Sequence, residues 1–320
     1  TYYVKFIARD GVSGTGVWEE TIKPGISEGL SPSTMPHELI NTAVNTFIMR
    51  PLVQDQANPT YSYWEPRLVG DDDTNEHPSF VGSTIQQAFF YNNRLGFLTQ
   101  DNVSMSQSGE FFNFYHVSAL TSVASDPIDL SCSSLKPAVL NSVLPAAQGL
   151  VLFSSTQQFM MYADQGVLTP GATAIRSLSN YECDTKINPV DVGTNMVFVS
   201  KTPGYSRIYA LATRGNQENP DVLDIGRIVS EWVPDSIDNL IASPQNSFVA
   251  MSGSTTPYIY FFRTYGDSEK TLMQSWFNWK LPGNVQYCIA DSDDFYVVTY
   301  QSGEYVLLKA NLTQSPEMLY

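Results

Sequence analysis

The chain has 320 residues, of which 15% are charged and 12% are aromatic, and its 17 basic and 32 acidic residues give a net charge of −15. This acidic balance argues against tight binding to nucleic-acid phosphates, and the composition favours a β-rich protein over a helical enzyme. The sequence has no apolar run of about 18 residues, so we expect no stable membrane insertion.

Cysteine and histidine usage indicates neither a disulfide framework nor a metal centre. The chain begins at Thr1 without a signal-type apolar segment, so we expect it to be part of a longer polypeptide. Cys132, Cys183 and Cys288 form no Cys-x-x-Cys pair, and we predict three reduced, buried thiols, which suits a bacterial cytoplasmic origin. The histidines show no metal-ligand spacing, and no cofactor-binding fingerprint occurs. We therefore predict no metal and no cofactor.

The first strong element is a hairpin over residues 94–114. An apolar strand from Leu95 leads through Val103 to a turn that we place at Ser108-Gly109, and an aromatic return strand follows from Phe111 to Phe114. Helical periodicity is compatible only with the short stretches 36–48 and 83–91, since prolines and glycines interrupt the rest of the chain.

Four further stretches repeat this pattern of paired apolar strands: 149–170, 195–215, 246–266 and 294–312. Two of them carry turn signals, Pro203-Gly204 and Ser302-Gly303. When the five units are aligned on Phe97, Leu152, Phe198, Val249 and Val297, they lie about 50 residues apart, which is the spacing of β-propeller blades. We predict an all-β propeller of about six blades, with the sixth formed by residues 61–90, and a β-sandwich is the alternative fold.

Alternation of side chains supports strands in the last repeat. Tyr296, Val298 and Tyr300 recur at every second position and are expected on one face, together with Tyr305 and Leu307 of the return strand.

The acidic residues supply no convincing catalytic pair. Neighbouring acids such as Glu19-Glu20 and Asp293-Asp294 would point to opposite faces of a strand, whereas Glu182 and Asp184 would share a face if their segment were a strand. A glycosidase needs two such carboxylates beside one bond. We predict that the protein is not an enzyme.

One long ordered run resembles a known family. It reads Trp64-Glu-Pro-Arg67, Gly70-Asp71, Thr74-Asn75, His77-Pro-Ser-Phe80-Val-Gly82, Phe89-Phe90 and Asn93-Arg94-Leu95, with Ser125-Asp126-Pro127-Ile128-Asp129 and Gln274-Ser-Trp276-Phe-Asn-Trp279 further on. The pattern is similar to that of the tail nozzle proteins (tail tubular protein B) of short-tailed podoviruses, with His77 as one departure. The resemblance implies that the following residues of the family motif have structural roles: Trp64, Arg67, Pro78, Phe80, Asn93, Arg94, Leu95, Trp276 and Trp279.

The resemblance implies a structural protein of the virion tail, assembled in the cytoplasm of the host bacterium. Nozzle subunits of this family form a homohexameric ring below the tail adaptor ring, near the tail fibres, and phage DNA passes through the ring without sequence-specific binding. Residues 1–60 would then be a β segment of the platform or first blade, 61–312 the propeller, and 313–320 an exit segment. The alternative function is a glycan-binding or glycan-cleaving propeller at the tail tip.

Two expectations concern individual side chains. Asp71, Asp72 and Asp73 form the densest acidic run and are candidates to line the channel, because an acidic lumen would not hold the phosphates of passing DNA. Trp276 and Trp279 are three residues apart on a strand, so we expect them on opposite faces of their sheet.

Overall fold

The computed structural model describes residues 2–134, 136–163, 166–193, 195–212, 220–229, 231–266 and 271–313. Within these ranges the protein is built from β-strands and one short 3-10 helix, so the predicted all-β class is confirmed. The chain divides into two compact units, Thr1–Asn141 with Met161–Arg176 and Ser142–Met160 with Ser177–Tyr320.

The first unit begins with two separate hairpins. Their strands are β1 (Tyr3–Ala8) with β2 (Gly16–Thr21), and β3 (His37–Ala43) with β4 (Thr46–Pro51). The helix considered for 36–48 is therefore wrong. Asn45 adopts a positive φ of 59° between β3 and β4, which asparagine tolerates well, and this turn folds the segment back on itself as a hairpin.

A four-stranded antiparallel sheet follows in the same unit. It consists of β5 (Ile85–Tyr91), β6 (Arg94–Thr99), β7 (Asn102–Met105) and β8 (Ile128–Ser131), in that order. The helix considered for 83–91 is wrong because this stretch is mostly β5, which pairs with β6 along its length. The sixth blade expected from residues 61–90 is also wrong, since β5 is the only strand there and it belongs to this sheet.

The boundaries of the predicted 94–114 hairpin need correction. The chain reverses at Gln100-Asp101 rather than at Ser108-Gly109, and Thr99 pairs directly with Asn102. Gln100 has a positive φ of 47°, a conformation for which the sequence offers no glycine signal. Phe111 to Phe114 form no strand. They lie in the long connection between β7 and β8, where the ring of Phe114 stacks on that of Phe97 at 5.3 Å.

Four more antiparallel sheets follow along the chain. The first sheet consists of β9 (Leu140–Ala146), β10 (Gly149–Ser154), β11 (Gln158–Ala163) and β12 (Thr173–Ser179). The second consists of β13 (Val190–Asp191), β14 (Asn195–Thr202), β15 (Tyr205–Ala212) and β16 (Val222–Asp224), and the 3-10 helix Ile225–Val229 follows it. The third sheet consists of β17 (Asn239–Ser243), β18 (Phe248–Ser252), β19 (Tyr258–Gly266) and β20 (Thr271–Lys280). The fourth consists of β21 (Asn284–Asp291), β22 (Asp294–Gln301) and β23 (Glu304–Asn311). In each sheet, strands adjacent in sequence are adjacent in space.

The repeat found in the sequence corresponds to equivalent strands. Phe97, Leu152, Phe198, Val249 and Val297 each lie in the second strand of their own sheet, namely β6, β10, β14, β18 and β22. The turns predicted at Pro203-Gly204 and Ser302-Gly303 are confirmed, because they join β14 to β15 and β22 to β23.

Within the second unit, successive sheets stack face to face. One buried cluster joins side chains of β14 and β15, such as Val197 and Ile208, to side chains of β18 and β19, such as Met251 and Phe262. A second cluster joins the other face of β18 and β19, through Ala250 and Phe261, to β21 and β22. The β17–β20 sheet is therefore covered on both faces. Stacking in series is the arrangement of propeller blades, whereas a two-sheet sandwich covers each sheet once.

Candidate functional site

The motif residues of the first unit build a core beneath long loops. Trp64 lies in a buried cluster with Phe80, Leu95, Phe97 and Phe114. The ring of Phe80 contacts those of Phe97 and Phe114 edge-on, at 5.3 and 5.1 Å between centroids. Aromatic pairs in this geometry add to the free energy gained by burial. The loop 64–83, which contains no strand, is thereby fixed on the β5–β8 sheet.

Arg67 is a fully buried cation that ties three segments together. Its guanidinium donates hydrogen bonds to the carbonyl oxygens of Asn75 at 2.7 Å and Ser27 at 2.8 Å, and to the carboxylate of Asp72 at 2.8 Å. A buried charge is tolerated only when it is paired and hydrogen-bonded, and Arg67 meets both conditions. Its role in the motif is to hold the loop.

Two residues of the acidic run 71–73 make structural contacts, and the side chain of the third is free. Asp71 is buried and accepts hydrogen bonds from the hydroxyl of Thr74 at 2.9 Å and from the amides of Thr74 and Asp73. The Thr74 hydroxyl, followed by these amides, lowers the pKa of Asp71. Asp72 is paired with Arg67, and Asp73 is exposed. Of the three carboxylates, Asp73 alone is uncommitted in this turn.

The same turn depends on Gly70 and Asn75. Gly70 has a φ of 81°, and a Cβ there would come within 2.8 Å of the Thr74 hydroxyl. The Asn75 side chain donates to the carbonyl oxygens of Val69 and His116 and accepts from the amide of His116, each at 3.0 Å. Asn75 thus connects the 64–83 loop with the loop that follows β7.

Arg94 holds the 106–126 loop in the same way. It is 1% exposed, and its guanidinium donates to four carbonyl oxygens: those of Ser106, Ala124, Ser125 and Asp126, at 2.6 to 3.2 Å. Burial lowers its pKa, but four acceptors keep the charged form in place. Asn93, beside it, takes a positive φ of 59° in the β5–β6 turn, and its carbonyl oxygen accepts from Gly109.

Pro78 and His77 close the loop against Tyr115. Pro78 is buried, and its carbonyl oxygen accepts from the amide of Val81 at 2.9 Å. The His77 ring lies 2.8 Å from the Tyr115 hydroxyl. Burial lowers the pKa of His77 and raises that of Tyr115 to about 12. His77, the departure from the family pattern, is therefore a hydrogen-bonding partner within this core.

Sequence reasoning missed the parts played by three acids in the same region. Asp126 is fully buried, accepts from the amide of Val123 at 2.8 Å, and lies 3.2 Å from the His116 ring. Asp129 accepts from the hydroxyls of Ser79 and Ser104. Glu20 reaches the hydroxyl of Ser118 and the amide of Ala119. The partners of Asp129 and Glu20 are distant in sequence, so no local spacing signals their contacts.

Trp276 and Trp279 lie on opposite faces of the β17–β20 sheet. Trp276 contacts Trp232 and Phe262 at 6.0 and 4.9 Å, beside the first inter-sheet cluster. Trp279 contacts Phe261 and Phe295 at 4.6 and 5.7 Å, beside the second. Each tryptophan therefore joins a different pair of sheets.

The acid pairs considered for catalysis are separated or neutralised. Glu182 and Asp184 lie in a loop rather than a strand, Glu182 is exposed, and Asp184 pairs with Lys201 at 2.9 Å. Asp294 pairs with Lys309 at 2.8 Å. Among the described residues, no group of three or more His, Cys, Asp and Glu side chains could hold a metal ion. The three cysteines are free and buried, as predicted.

Comparison with known proteins identifies the family. The profile of the bacteriophage nozzle proteins matches residues 1–319. The tail tubular protein gp12 of Escherichia phage T7 is 29% identical over 320 residues, which cover 98% of this chain and 38% of that protein. The chain thus spans well under half the length of this curated relative.

Solved structures show weak similarity. Hsv2p of Kluyveromyces lactis has a TM-score of 0.44 at 9% identity, over 73% of this chain and 63% of that one. The Neurospora crassa Pan2 WD40 domain has a TM-score of 0.41 at 9% identity, over 74% and 65%. In the part of the chain described, no helix has the length and hydrophobicity needed to cross a bilayer. On the evidence of the family profile, which spans essentially its whole length, the chain belongs to the bacteriophage nozzle protein family.

Proposed function

We propose that this chain is part of a structural subunit of the phage tail nozzle, a ring through which the genome passes into the host. The family match over residues 1–319 carries this proposal. The motif residues agree with it, because Arg67, Arg94 and Asn75 donate hydrogen bonds to backbone carbonyl oxygens of the loops. Residues of this kind hold the loops in a rigid fold, which a conduit for DNA requires.

The hairpins of the first unit support assembly with other chains. Trp18, Phe47 and Met49 are 68%, 58% and 74% exposed on two-stranded sheets that no third strand joins in the described residues. An isolated two-stranded sheet is marginally stable in water, and exposed apolar side chains of this size indicate an interaction surface. We propose that the ring is a homohexamer and that its other partners are the tail adaptor ring and the tail fibres.

The mass of the full-length protein in solution, followed by electron microscopy of the particles, tests this function. A conduit requires a closed ring with an open bore, because cyclic symmetry creates the channel. A protein that stays monomeric at all concentrations, both alone and when mixed with purified tails, would contradict the proposal. A particle without a continuous central channel would contradict it equally.

One member of the acidic run 71–73 remains a candidate for the channel wall. Asp73 is the exposed, unpaired member of the three, so we propose that it contributes lumen charge while Asp71 and Asp72 maintain the turn. An acidic wall would repel DNA phosphates at short range.

A further inference from the structure

Within the described residues, the last sheet has one strand fewer than the four sheets before it. In those four, the fourth strand is the next described strand after the third, as Thr173–Ser179 follows Gln158–Ala163 and Val222–Asp224 follows Tyr205–Ala212. The β21–β23 sheet ends at β23, whose outer edge pairs with no described strand. Because β21 and β22 are equivalent to the first and second strands elsewhere, the strand that the described residues lack is the fourth.

The free edge presents backbone groups at regular intervals. β22 and β23 are joined by the two-residue turn Ser302-Gly303, so Gln301 and Glu304 form the hydrogen-bonded pair that closes the hairpin. The even-numbered residues of β23 therefore bond to β22, and the amides of Tyr305, Leu307 and Lys309 point outward. An unpaired edge of this length is a template for another strand.

One face of this sheet is also uncovered. The face that carries Phe295 and Val297 packs on the β17–β20 sheet. On the opposite face, the large side chains of Tyr287, Ile289, Tyr300, Tyr305 and Leu307 are 52%, 46%, 43%, 70% and 67% exposed. These residues form one continuous surface, because Tyr300 is paired with Tyr305, Val298 with Leu307, and Tyr287 with Val298. We call this surface, together with the outer edge of β23, the open end.

We propose that the open end is a docking site for further strands of the same polypeptide: a fourth strand on the edge of β23, and a sheet on the exposed face. The order of stacking favours this occupant, since the β17–β20 and β21–β23 sheets each pack on the sheet supplied by the preceding stretch of chain. The length of the curated relative, of which this chain spans 38%, leaves ample sequence for such a sheet. The inference does not depend on the conduit function.

Thiol labelling of the full-length protein tests the covered face. The three cysteines of this chain are buried, and burial raises their pKa values to about 12 for Cys132 and Cys183 and about 11 for Cys288, so they react slowly. Peptide mapping then isolates the label at the introduced thiol. Tyr305→Cys is compared with Ser302→Cys, in the exposed turn of the same hairpin. We expect maleimide to label Tyr305→Cys at least about tenfold more slowly in the monomeric full-length protein, because the site must first open locally.

Equal labelling rates at the two positions would overturn the proposal. Protection of Tyr305→Cys only in the assembled oligomer would overturn it too, since a second copy would then be the occupant.

A proline substitution in β23 tests whether another strand pairs with its outer edge. Leu307→Pro removes an outward-pointing amide, whereas Leu307→Ala removes the same side chain and keeps the amide. We expect Leu307→Pro to lower the melting temperature of the full-length protein well below that of Leu307→Ala. Equal melting temperatures would show that no strand is paired with this edge and would overturn the proposal.

Discussion

Two buried arginines show how single residues define this fold. Arg67 and Arg94 are each 1% exposed, and between them they bind the carbonyl oxygens of six residues in three loops. Loops have no repeating hydrogen-bond partners of their own, so buried carbonyl groups within them require donors from elsewhere. A planar guanidinium with five N–H groups supplies several such donors at once.

Replacing Arg94 by methionine should therefore be severely destabilising. The variant keeps most of the apolar stem but removes the guanidinium donor from four carbonyl oxygens, of which that of Ser125 still accepts from the amide of Ser108. We expect a loss of about 3 to 5 kcal/mol in the free energy of unfolding. Urea unfolding measures this loss. Arg207→Met is the control, since Arg207 is exposed and its guanidinium donates to the hydroxyl of Tyr205 at 3.2 Å. A similar loss in both variants would contradict the role assigned to burial.

Acid titration should report the Asp71 turn. The pKa of Asp71 lies below its ordinary 3.8, with the Thr74 hydroxyl as the largest cause. The ionised carboxylate therefore contributes stability above the unfolded-state pKa, and this contribution is lost as the pH falls through the folded-state pKa. Thr74→Val should raise the pKa of Asp71 towards its ordinary value, as measured by carboxyl NMR, whereas Thr74→Ser should leave it low. An unchanged pKa in Thr74→Val would refute this account.

At the scale of elements, hairpin turns and inter-sheet contacts determine different features of the fold. The turn Ser302-Gly303 requires two residues with positive φ, 53° and 89°, so that the strands twist correctly. The tryptophans of β20 then join that strand's sheet to its neighbours on either side. Turn geometry determines which residues pair, and packing determines which sheet faces meet.

Gly303→Ala should cost about 1 to 2 kcal/mol through backbone conformation alone, because a Cβ at this position meets no atom within 4 Å. Gly171→Ala is the matched control: its surroundings are equally open, and its φ lies outside the left-handed region. We expect that variant to unfold within about 0.5 kcal/mol of the wild type, or to be slightly more stable. Thermal unfolding distinguishes the two. Equal effects would mean that the left-handed turn is not the cause.

Trp276→Ala and Trp279→Ala should each cost about 3 kcal/mol, and their effects should add. The two side chains pack against different clusters on opposite faces of one sheet, and sites without shared partners add to within about 0.5 kcal/mol. Chemical denaturation of the two single variants and the double variant completes a double-mutant cycle, which measures the coupling energy between the two sites. A coupling energy well above that limit would show that the two inter-sheet contacts are not independent.

At the scale of the whole molecule, charge is the property most relevant to a conduit. The net charge of −15 is repeated in every subunit of a ring, yet salt confines its effect to about 8 Å from each exposed group. Only acids that face a narrow bore would therefore affect passing DNA.

Asp73→Lys should slow DNA ejection from assembled phage, most strongly at low ionic strength, while leaving particle assembly intact. A triple replacement of residues 71–73 would be less informative, because it would also disrupt the Asp71 turn and the Arg67 contact. Glu182→Lys, an equal change of charge at an exposed loop position, is the control. Ejection at the wild-type rate in Asp73→Lys, or equal slowing in both variants, would refute a lumen role for Asp73.

The sequence by itself determined the all-β class, the five repeats and the family, because these depend on alternation, spacing and a long ordered motif. The alignment on Phe97, Leu152, Phe198, Val249 and Val297 matched equivalent strands, since apolar residues recur wherever a strand is buried. The positions of Gln100 and Asn45 in turns were not evident from the sequence, as these residues adopt positive φ without a glycine signal.

Tertiary structure alone decided what the polar motif residues do. Arg67, Arg94 and Asp126 are charged side chains that sequence analysis normally assigns to the surface. The two arginines are buried against loop atoms distant in sequence: Ser27 for Arg67, and residues 124–126 for Arg94. Contacts of this kind leave no periodicity in the sequence. They depend on how the loops fold over the sheet, which is determined by packing of the whole unit.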